Sequence, residues 1–301
     1  MEVQVPRRPG MAESGHPAID VVSGINPALH CEPRSMRVGY FQFRPFFGKV
    51  SQNVLKVMNA LRKVEADLIV LPECPFTGYW FRDRAEVMAL AEDPKDSPTV
   101  DCLHALCREK RMYIVTGFTE KHRGKCFNSA LLIGPEGLIH VYRKMHAFLH
   151  EKEWFDQGDI APQTFLVKGA RVGMMVCYDW AFPEVARLLA LRGADIICHP
   201  SNLVLAHCQG AMLTRCLENR VFAITANRFG ADKRAHGEIK FTGKSQIVAP
   251  GGVLLHRGPG QRQELFVTDI NSADARDKHV TAKNDLLGDR RPEMYADLAA
   301  K

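Results

Sequence analysis

From Met36 onward, short continuous apolar runs alternate with stretches whose apolar residues recur at helical spacing. Ser51 to Val64 and 98–110 have the helical spacing, whereas ADLIVLPE and RVGMMVCY are continuous runs. A continuous apolar run is typical of a strand that is covered on both faces. Two further segments, NSALLIGPEGLIHVYRK and KSQIVAPGGVLLH, have the glycine-containing turns of antiparallel hairpins. The alternation therefore predicts an α/β fold in which helices cover mixed sheets.

One octapeptide pattern occurs twice, as ADLIVLPE from Ala66 to Glu73 and as ADIICHPS from Ala194 to Ser201. Each copy follows a predicted helix, and each ends a buried strand with a proline and a polar residue. Because Ala-Asp before a buried strand is common in α/β proteins, the repeat by itself is weak evidence for a duplicated domain. It supports one only together with the alternation of strands and helices. Together they indicate a domain that is built as two similar halves.

Residues 1–35 differ from the rest of the chain, since they are rich in Pro, Gly and Ser and have no sustained period. We expect a flexible N-terminal extension here, and a single domain with a C-terminal tail over residues 36–301. Deleting residues 1–35 should leave activity and melting temperature nearly intact.

The charge and apolar content argue against several classes of partner. The net charge is +6 and the basic residues are scattered, which does not indicate a nucleic-acid or membrane-surface partner. No apolar run approaches the roughly 18 residues of a membrane span, and Arg7 and Arg8 are not followed by the apolar region of an export signal. The nine cysteines include no C-x-x-C pair, which favours buried thiols in a reducing compartment. We therefore expect a cytoplasmic protein.

Three polar residues are predicted at strand ends: Glu73 after LIVLPE, Lys144 after LIHVYRK and Cys177 after VGMMVC. Functional groups of α/β folds collect just beyond the carboxyl ends of strands. Taken singly, each residue has an ordinary alternative, namely a solvated loop side chain for Glu73 and Lys144 and a core thiol for Cys177.

Together the three residues make chemical sense as a catalytic set. A thiol has a pKa of about 8.5 and needs a base or a nearby cation to become a nucleophile. A partly desolvated Glu73 can take the proton, and Lys144 can stabilise the oxyanion that forms when the thiolate attacks a carbonyl or nitrile carbon. The backbone N–H groups that follow Cys177 are further donors. His146 and His199 do not occupy the position of a Cys–His pair.

The segments LPECPFTGY, YRKMHAFLHEKEWF and VCYDWAFPE resemble the three signature segments of the carbon–nitrogen hydrolase (nitrilase) superfamily. The resemblance spans about Met36 to Tyr295 and implies a Glu–Lys–Cys triad. It implies Glu73 as general base, Lys144 as transition-state stabiliser and Cys177 as nucleophile, with Glu151 as a second glutamate that positions the substrate. It also implies a four-layer αββα sandwich and a homodimer or larger homo-oligomer. We expect no cofactor and no metal ion.

The residues after Cys177 bear on the substrate. Tyr178, Asp179 and Trp180 differ from the Trp-Glu of the nitrile-cleaving branch and from the run of the carbamoyl-β-alanine branch, and they look most like amidase-type members. We therefore expect hydrolysis of a small amide through a thioester, with release of ammonia or an amine. Carbamoyl compounds come second and nitriles third, while acyl transfer and a non-enzymatic relative stay open. The expected substrate-binding residues are Tyr79, Trp154, Tyr178, Trp180 and Asn202.

Two motifs of other classes are incomplete. GEIKFTGKS, from Gly237 to Ser245, has one residue too many for a nucleotide phosphate loop and is followed by a predicted hairpin strand. HEKEW, from His150 to Trp154, lacks the second histidine of the metalloprotease motif. Neither segment supports a nucleotide-binding or metalloprotease function.

Overall fold

The computed structural model describes residues 35–299. The expected N-terminal extension lies outside the described residues except for Ser35, which already belongs to the first strand. The strands are β1 (Ser35–Gln42), β2 (Leu68–Val70), β3 (Tyr113–His122), β4 (Lys125–Gly134), β5 (Gly137–Arg143), β6 (Thr164–Val167), β7 (Ala170–Met174), β8 (Ile196–Pro200), β9 (Phe222–Ala226), β10 (Phe229–Arg234), β11 (Gly237–Thr242), β12 (Gln246–Ala249), β13 (Val253–Arg257), β14 (Glu264–Asn271), β15 (His279–Thr281) and β16 (Asn284–Asp285). The α-helices are α1 (Val50–Leu61), α2 (Arg84–Leu90), α3 (Pro98–Lys110), α4 (Glu151–Trp154), α5 (Pro183–Leu191) and α6 (Cys208–Asn219).

Two six-stranded sheets form the centre of the fold, in the orders β14-β1-β2-β3-β4-β5 and β13-β12-β9-β8-β7-β6. In each sheet three neighbouring strands are parallel, β1-β2-β3 in the first and β7-β8-β9 in the second. The strands on either side of each parallel set are antiparallel. Both sheets are therefore mixed, as the sequence predicts.

Side chains alternate between the two faces of the first sheet. Val38, Val70 and Val115 face the second sheet, in a core that also includes apolar side chains of α5 and α6. Ile69 and Ile114 face the opposite way, into a core with α1 and α3. Because both faces are covered, the strands appear in the sequence as continuous apolar runs. The layers follow as helices, sheet, sheet and helices, which confirms the predicted α/β fold and its four-layer sandwich.

Helix ends follow from local residue chemistry. Ser97 is the N-cap of α3, where its Oγ accepts a hydrogen bond from the Val100 N–H at 3.1 Å. Pro183 occupies the first turn of α5, where its missing N–H is not needed. Gly193 follows the end of α5 with a φ of 78°, the left-handed conformation that the sequence predicts for it.

Several features differ from the sequence prediction or were absent from it. The strand predicted over RVGMMVCY ends at Met174, and a 3-10 helix covers Cys177–Ala181. Helix α2, the β10–β11 hairpin and the edge strands β6 and β14 had no counterpart in the prediction. The segment GEIKFTGKS lies on β11 and the turn after it, so no helix follows its Gly-Lys. Within residues 35–299, no helix is long and apolar enough to cross a membrane.

Candidate active site

Glu73 lies on a tight turn beyond the end of β2. The next residue, Cys74, has a φ of 44°, a left-handed conformation that is uncommon outside glycine and asparagine. Gly117 of β3 approaches this turn so closely that an added Cβ would lie 2.4 Å from the Glu73 Cα atom. The Gly117 N–H also donates to the Pro72 carbonyl at 3.0 Å. The absence of a side chain at Gly117 thus lets the chain fold back and places Glu73 where it is buried.

Lys144 follows β5 directly, and its ammonium group joins two buried carboxylates. Nζ donates to Glu73 Oε1 at 2.8 Å and to Glu151 Oε1 at 2.8 Å. Tyr79 donates its hydroxyl to Glu151 Oε1 at 2.6 Å, and Asn128 donates its Nδ2 to Glu73 Oε1 at 2.7 Å. All five side chains are buried. Charged groups are tolerated in such a place only when they are paired and hydrogen-bonded, as these are.

The charges of this cluster shift the pKa values of its members. Burial by itself would lower the pKa of Lys144, but the charges of Glu151 and Glu73 outweigh it and raise that pKa well above the ordinary value. Burial raises the pKa of Glu151 to about 7, against the opposing charge of Lys144. Burial, together with the Glu151 charge, also raises the pKa of Tyr79. Lys144 therefore stays cationic at neutral pH, whereas Glu151 titrates near it.

Cys177 lies at the turn between β7 and the 3-10 helix, with a φ of 40°. Asp179, two residues later, is fully buried and braces the turn. Its Oδ2 accepts from the Val176 N–H at 2.9 Å and from the Tyr142 hydroxyl at 2.8 Å. Its Oδ1 lies 2.8 Å from His146 Nδ1. A strained backbone that is held by such contacts is common at functional sites.

His199 of β8 holds the same turn from the other side. Its Nε2 lies 2.9 Å from the Cys177 carbonyl oxygen, and because a carbonyl only accepts, Nε2 carries the proton. Nδ1 then accepts from the Thr225 hydroxyl at 3.1 Å. Burial lowers the pKa of His199 to about 4, so the ring is neutral. This histidine contacts the backbone of Cys177, and in this structure it orients the turn.

The Cys177 thiol is buried, and its charge environment is set by the cluster of Glu73, Lys144 and Glu151. Burial raises the pKa of Cys177 well above the ordinary value, and the Glu73 charge raises it further. The Lys144 charge and the Asn202 backbone N–H act in the opposite direction. The thiol is consequently protonated at neutral pH, and its proton has to be removed during any attack.

A small pocket opens beside the thiol, with about 250 Å³ of space including its open mouth. Because this volume includes open solvent at the mouth, the enclosed part is smaller still, and the pocket fits only a small molecule. Its lining consists of Phe148, Cys177, Tyr178, Trp180, Asn202, Leu203, Val204 and Leu205.

The structure brings all four expected catalytic residues together, while the expected substrate-binding residues fall into two groups. Tyr178, Trp180 and Asn202 line the pocket. Tyr79 contacts Glu151 through its hydroxyl instead. Trp154 packs in an aromatic cluster, with its ring 5.7 Å from that of Trp80, and does not line this pocket. Its position in a motif segment therefore reflects packing beneath the site.

Sequence reasoning missed Asn128, Asp179 and His199 as parts of the site. Asn128 lies within a buried strand, and no local signal marks the face that its side chain occupies. Asp179 and His199 had weak signals: Asp179 directly follows the Cys177 turn, and His199 precedes the proline that ends β8. Their contacts depend on how neighbouring strands pair.

Sequence comparisons find relatives that match most of this chain. Residues 37–279 match the sequence model of a family described as carbon-nitrogen hydrolase. A protein named nitrilase from Pyrococcus abyssi is 38% identical over 263 residues, which cover 86% of this chain and 99% of the relative. An (R)-stereoselective amidase from Pseudomonas sp. is 31% identical, with coverage of 85% and 92%. An N-carbamoylputrescine amidase from Arabidopsis thaliana is 27% identical, with coverage of 82% and 89%.

Solved structures show the same fold at low sequence identity. A carbon-nitrogen hydrolase from Helicobacter pylori G27 has a TM-score of 0.82 at 23% identity, covering 89% of this chain and 99% of that one. An amidase from Nesterenkonia sp. has a TM-score of 0.72 at 22% identity, covering 91% and 100%.

Proposed function

Because the chain belongs to the carbon–nitrogen hydrolase family, we propose that it hydrolyses the carbon–nitrogen bond of a small amide, with Cys177 as the nucleophile. The observation that carries this proposal is the buried Glu73–Lys144–Glu151 cluster, whose charges act on the Cys177 thiol. A thiol, a carboxylate and a cation in one water-poor place are the groups that acyl transfer requires.

In the first half of the reaction, Glu73 takes the thiol proton as the Cys177 sulfur attacks the carbonyl carbon of the amide. The Glu73 Oε2 atom is buried and has no hydrogen-bond partner within residues 35–299, so it is the available acceptor. The carbonyl electron pair moves to the oxygen, where the Lys144 ammonium and the Tyr178 N–H stabilise the negative charge. Loss of one such donor costs on the order of 3 kcal/mol in comparable sites.

The tetrahedral intermediate then collapses, and the carbon–nitrogen bond breaks. Glu73 returns its proton to the leaving nitrogen, which departs as ammonia or an amine and leaves a thioester on Cys177. In the second half, Glu73 takes a proton from water, and the hydroxide attacks the thioester carbon. Collapse of this second intermediate breaks the carbon–sulfur bond and releases the carboxylic acid, and Glu73 returns its proton to the sulfur, which restores the thiol.

Glu151 supports this chemistry through Lys144. Its carboxylate accepts from Nζ, from the Tyr79 hydroxyl and from the Phe148 N–H, the last at 3.0 Å. These contacts fix the ammonium between two carboxylates. Lys144 is therefore held in place before the oxyanion forms, which avoids reorganisation during the reaction.

The small pocket with mostly apolar walls supports a small substrate, and the residues after Cys177 support an amide. Nitrile hydrolysis is the second candidate, because the relative with 38% identity is named a nitrilase. Hydrolysis of an N-carbamoyl compound is the third, since relatives with that activity in their names are less similar. Attack on a nitrile carbon uses the same thiol and the same proton acceptor.

Ammonia release from a panel of small amides, N-carbamoyl compounds and nitriles tests the proposal. The wild-type protein should release ammonia from at least one amide, and Cys177→Ala should release none above background. Cys198→Ala is the matched control, because Cys198 is also a buried thiol but lies on β8 within the core. Full activity of Cys177→Ala would refute the mechanism, and hydrolysis of nitriles alone would favour the second candidate.

A further inference from the structure

Asn202 lies between the two loops that carry the proposed base and nucleophile. It follows β8 and lines the pocket together with Cys177. Its backbone N–H acts on the Cys177 thiol, whose pKa it lowers, and the carbonyl of the preceding Ser201 accepts from the Glu73 N–H at 3.4 Å. The Asn202 side chain thus belongs to the space in which a substrate bound to Cys177 would lie.

The carboxamide of Asn202 is buried without a partner. The residue is only 2% exposed, and neither its Oδ1 nor its Nδ2 has a hydrogen-bond partner in the described part of the chain. Buried polar atoms are nearly always hydrogen-bonded, so an amide with both ends unpaired needs an explanation. Glu73 Oε2 shares this state, and in the proposed mechanism it interacts with the substrate.

The loop that carries Asn202 is held in place by its neighbour. The Leu203 N–H donates to Asn227 Oδ1 at 2.8 Å, and the Leu203 carbonyl accepts from the Thr242 N–H at 2.9 Å. Asn227 is itself fixed, since its Nδ2 donates to the Gly243 carbonyl at 2.6 Å. Such anchoring restrains the backbone of Asn202, while its own carboxamide has no hydrogen-bond partner among residues 35–299.

The surroundings define what this carboxamide can bind. Apart from Asn202 and the Cys177 thiol, the pocket walls are aromatic or aliphatic. Lys144, whose charge acts on the Cys177 thiol, is already paired with the carboxylates of Glu73 and Glu151. A charged group on the substrate would therefore be buried without a counter-ion, which is costly. A neutral group that accepts from Nδ2 and donates to Oδ1 would satisfy both atoms.

We propose that Asn202 selects amides whose acyl part carries a second, uncharged carboxamide, over apolar amides of the same shape. A primary carboxamide offers one acceptor and one donor on the same side, which pair with the donor and acceptor of the asparagine. A site built to hydrogen-bond such a group discriminates against analogues that lack it, because its buried polar atoms are then left unpaired. This selectivity rests on the proposed amide hydrolysis.

The test compares diamides with apolar and charged analogues at two chain lengths. Malonamide and succinamide are the diamides, isovaleramide and isocaproamide are their branched apolar counterparts, and malonamate and succinamate are their charged counterparts. The wild type should have a kcat/KM at least about ten-fold higher for one diamide than for its two counterparts. Asn202→Leu has a similar shape without polar atoms and should bring the ratio of diamide to apolar amide close to about one.

Two further variants keep the test decisive. Asn202→Ser retains a donor and an acceptor and should give an intermediate ratio. Val204→Ala is an apolar change in the same pocket and should change kcat/KM for the diamide and for the apolar amide by the same factor. If Asn202→Leu has no activity, calorimetric binding to Cys177→Ala and to Cys177→Ala/Asn202→Leu measures the same ratio without turnover.

The outcomes separate the selectivity from the proposed function. Hydrolysis of all amides with a ratio that Asn202→Leu does not change would overturn the role of Asn202 alone. Failure of the wild type to hydrolyse any amide would overturn the proposed function as well.

Discussion

The two halves of the sandwich have the same strand arrangement, and their central strands begin in the same way. Strands β2 and β8 each lie in the middle of three parallel strands. Before β2, Asp67 Oδ2 accepts from the Arg37 N–H at 2.9 Å; before β8, Asp195 Oδ2 accepts from the Arg171 N–H at 2.9 Å. The repeated Ala-Asp therefore has a physical cause, because each aspartate caps the first residues of the neighbouring strand.

The halves differ where these two strands end. Pairing of β8 with β9 continues regularly to Pro200 and Ala226, whereas β2 ends at Val70 and the chain then folds back over Gly117. Gly117 and Ala226 occupy the same step, each four residues after the first paired residue of its strand, Tyr113 or Phe222. At this equivalent position the second half has the methyl side chain of Ala226. The first half has a glycine, and the space left by the missing side chain is taken by the backbone of Glu73.

The candidate site combines residues from both halves of the sandwich. The first half contributes Glu73 and Lys144, and the second contributes Cys177 and Asn202. The two equivalent loops touch through the Glu73 N–H and the Ser201 carbonyl. This comparison indicates that the sheets supply position, and that the chemistry depends on a few residues which break the repeat.

The largest effect is expected from Glu73→Gln. Gln can still accept hydrogen bonds from Lys144 and Asn128, so the fold should be preserved, but it cannot take the thiol proton. General-base groups contribute about 10²–10⁴-fold, and kcat/KM should fall within this range at an unchanged melting temperature. Ser201→Ala, at the equivalent position of the second half, should lower kcat/KM by less than about ten-fold. Equal losses in the two variants would contradict the assigned asymmetry.

The second prediction gives the first half the residue of the second half, by changing Gly117 to Ala. In Gly117→Ala, the new Cβ would overlap the Glu73 backbone, with contacts of 2.4 Å to the Glu73 Cα and 2.6 Å to the Pro72 carbonyl oxygen. Misplacement of a catalytic group by about 1 Å can cost about 10²-fold in rate, and we expect a loss of this size in kcat.

Two controls accompany this variant. Ala226→Gly creates no overlap and should lower stability by roughly 1 kcal/mol with little loss of activity. Gly210→Ala, on α6, has no heavy atom within 4 Å of the added Cβ and should be neutral or stabilising. A crystal structure of Gly117→Ala with Glu73 in its original place would contradict the proposed cause.

The sequence predicted those parts of the fold and site whose signals are local. The continuous apolar runs of β2 and β8 predicted buried strands, and the motif segments predicted which side chains meet. The pairing of β1 with β14, by contrast, joins Ser35 to Asn271, and no local pattern marks such a distant partner. The same holds for Asn128 and His199, whose roles depend on strand pairing. Trp154 lies in a motif segment but packs in an aromatic cluster, because such a segment carries packing residues as well as functional ones.

The third prediction uses pH to test the charge that fixes Lys144. The pKa of Glu151 is raised to about 7, so this carboxylate gains a proton as the pH falls through that value. Lys144 then loses one of its two charged partners, and kcat/KM should fall by up to about ten-fold per pH unit below it. Glu151→Gln should have low activity without this inflection. An identical profile in both proteins would assign the inflection to another group.

The same raised pKa has a consequence for stability, with a definite sign. Between the ordinary value of 4.5 and about 7, the folded protein binds this proton more tightly than the unfolded chain does. The contribution of Glu151 to the free energy of unfolding is therefore greatest below 4.5 and is lost as the pH rises to about 7. Urea unfolding of the wild type and of Glu151→Gln should differ in pH dependence within this window.

The smallest effect on activity is expected where the two halves agree. Asp67→Ala and Asp195→Ala each remove an acceptor at the start of a parallel strand, whereas Glu73 and Asn202 follow the opposite end of the same two strands. Asp195 is buried and also contacts Arg276 at 3.3 Å, whereas the Asp67 side chain is 24% exposed and pairs with Lys168. Leaving a buried donor unpaired costs about 1–3 kcal/mol. The loss in the free energy of unfolding should therefore lie at the upper end of this range for Asp195→Ala and at the lower end for Asp67→Ala.

Urea denaturation measures these two losses, and both variants should keep kcat/KM within about two-fold of the wild type, since each change leaves the strand ends that carry the site in place. A loss of activity that exceeds the loss of stability in either variant would show that the start of the strand is coupled to its end. The stability of the sheets and the activity of the candidate site would then not depend on separate residues, contrary to what the comparison of the two halves indicates.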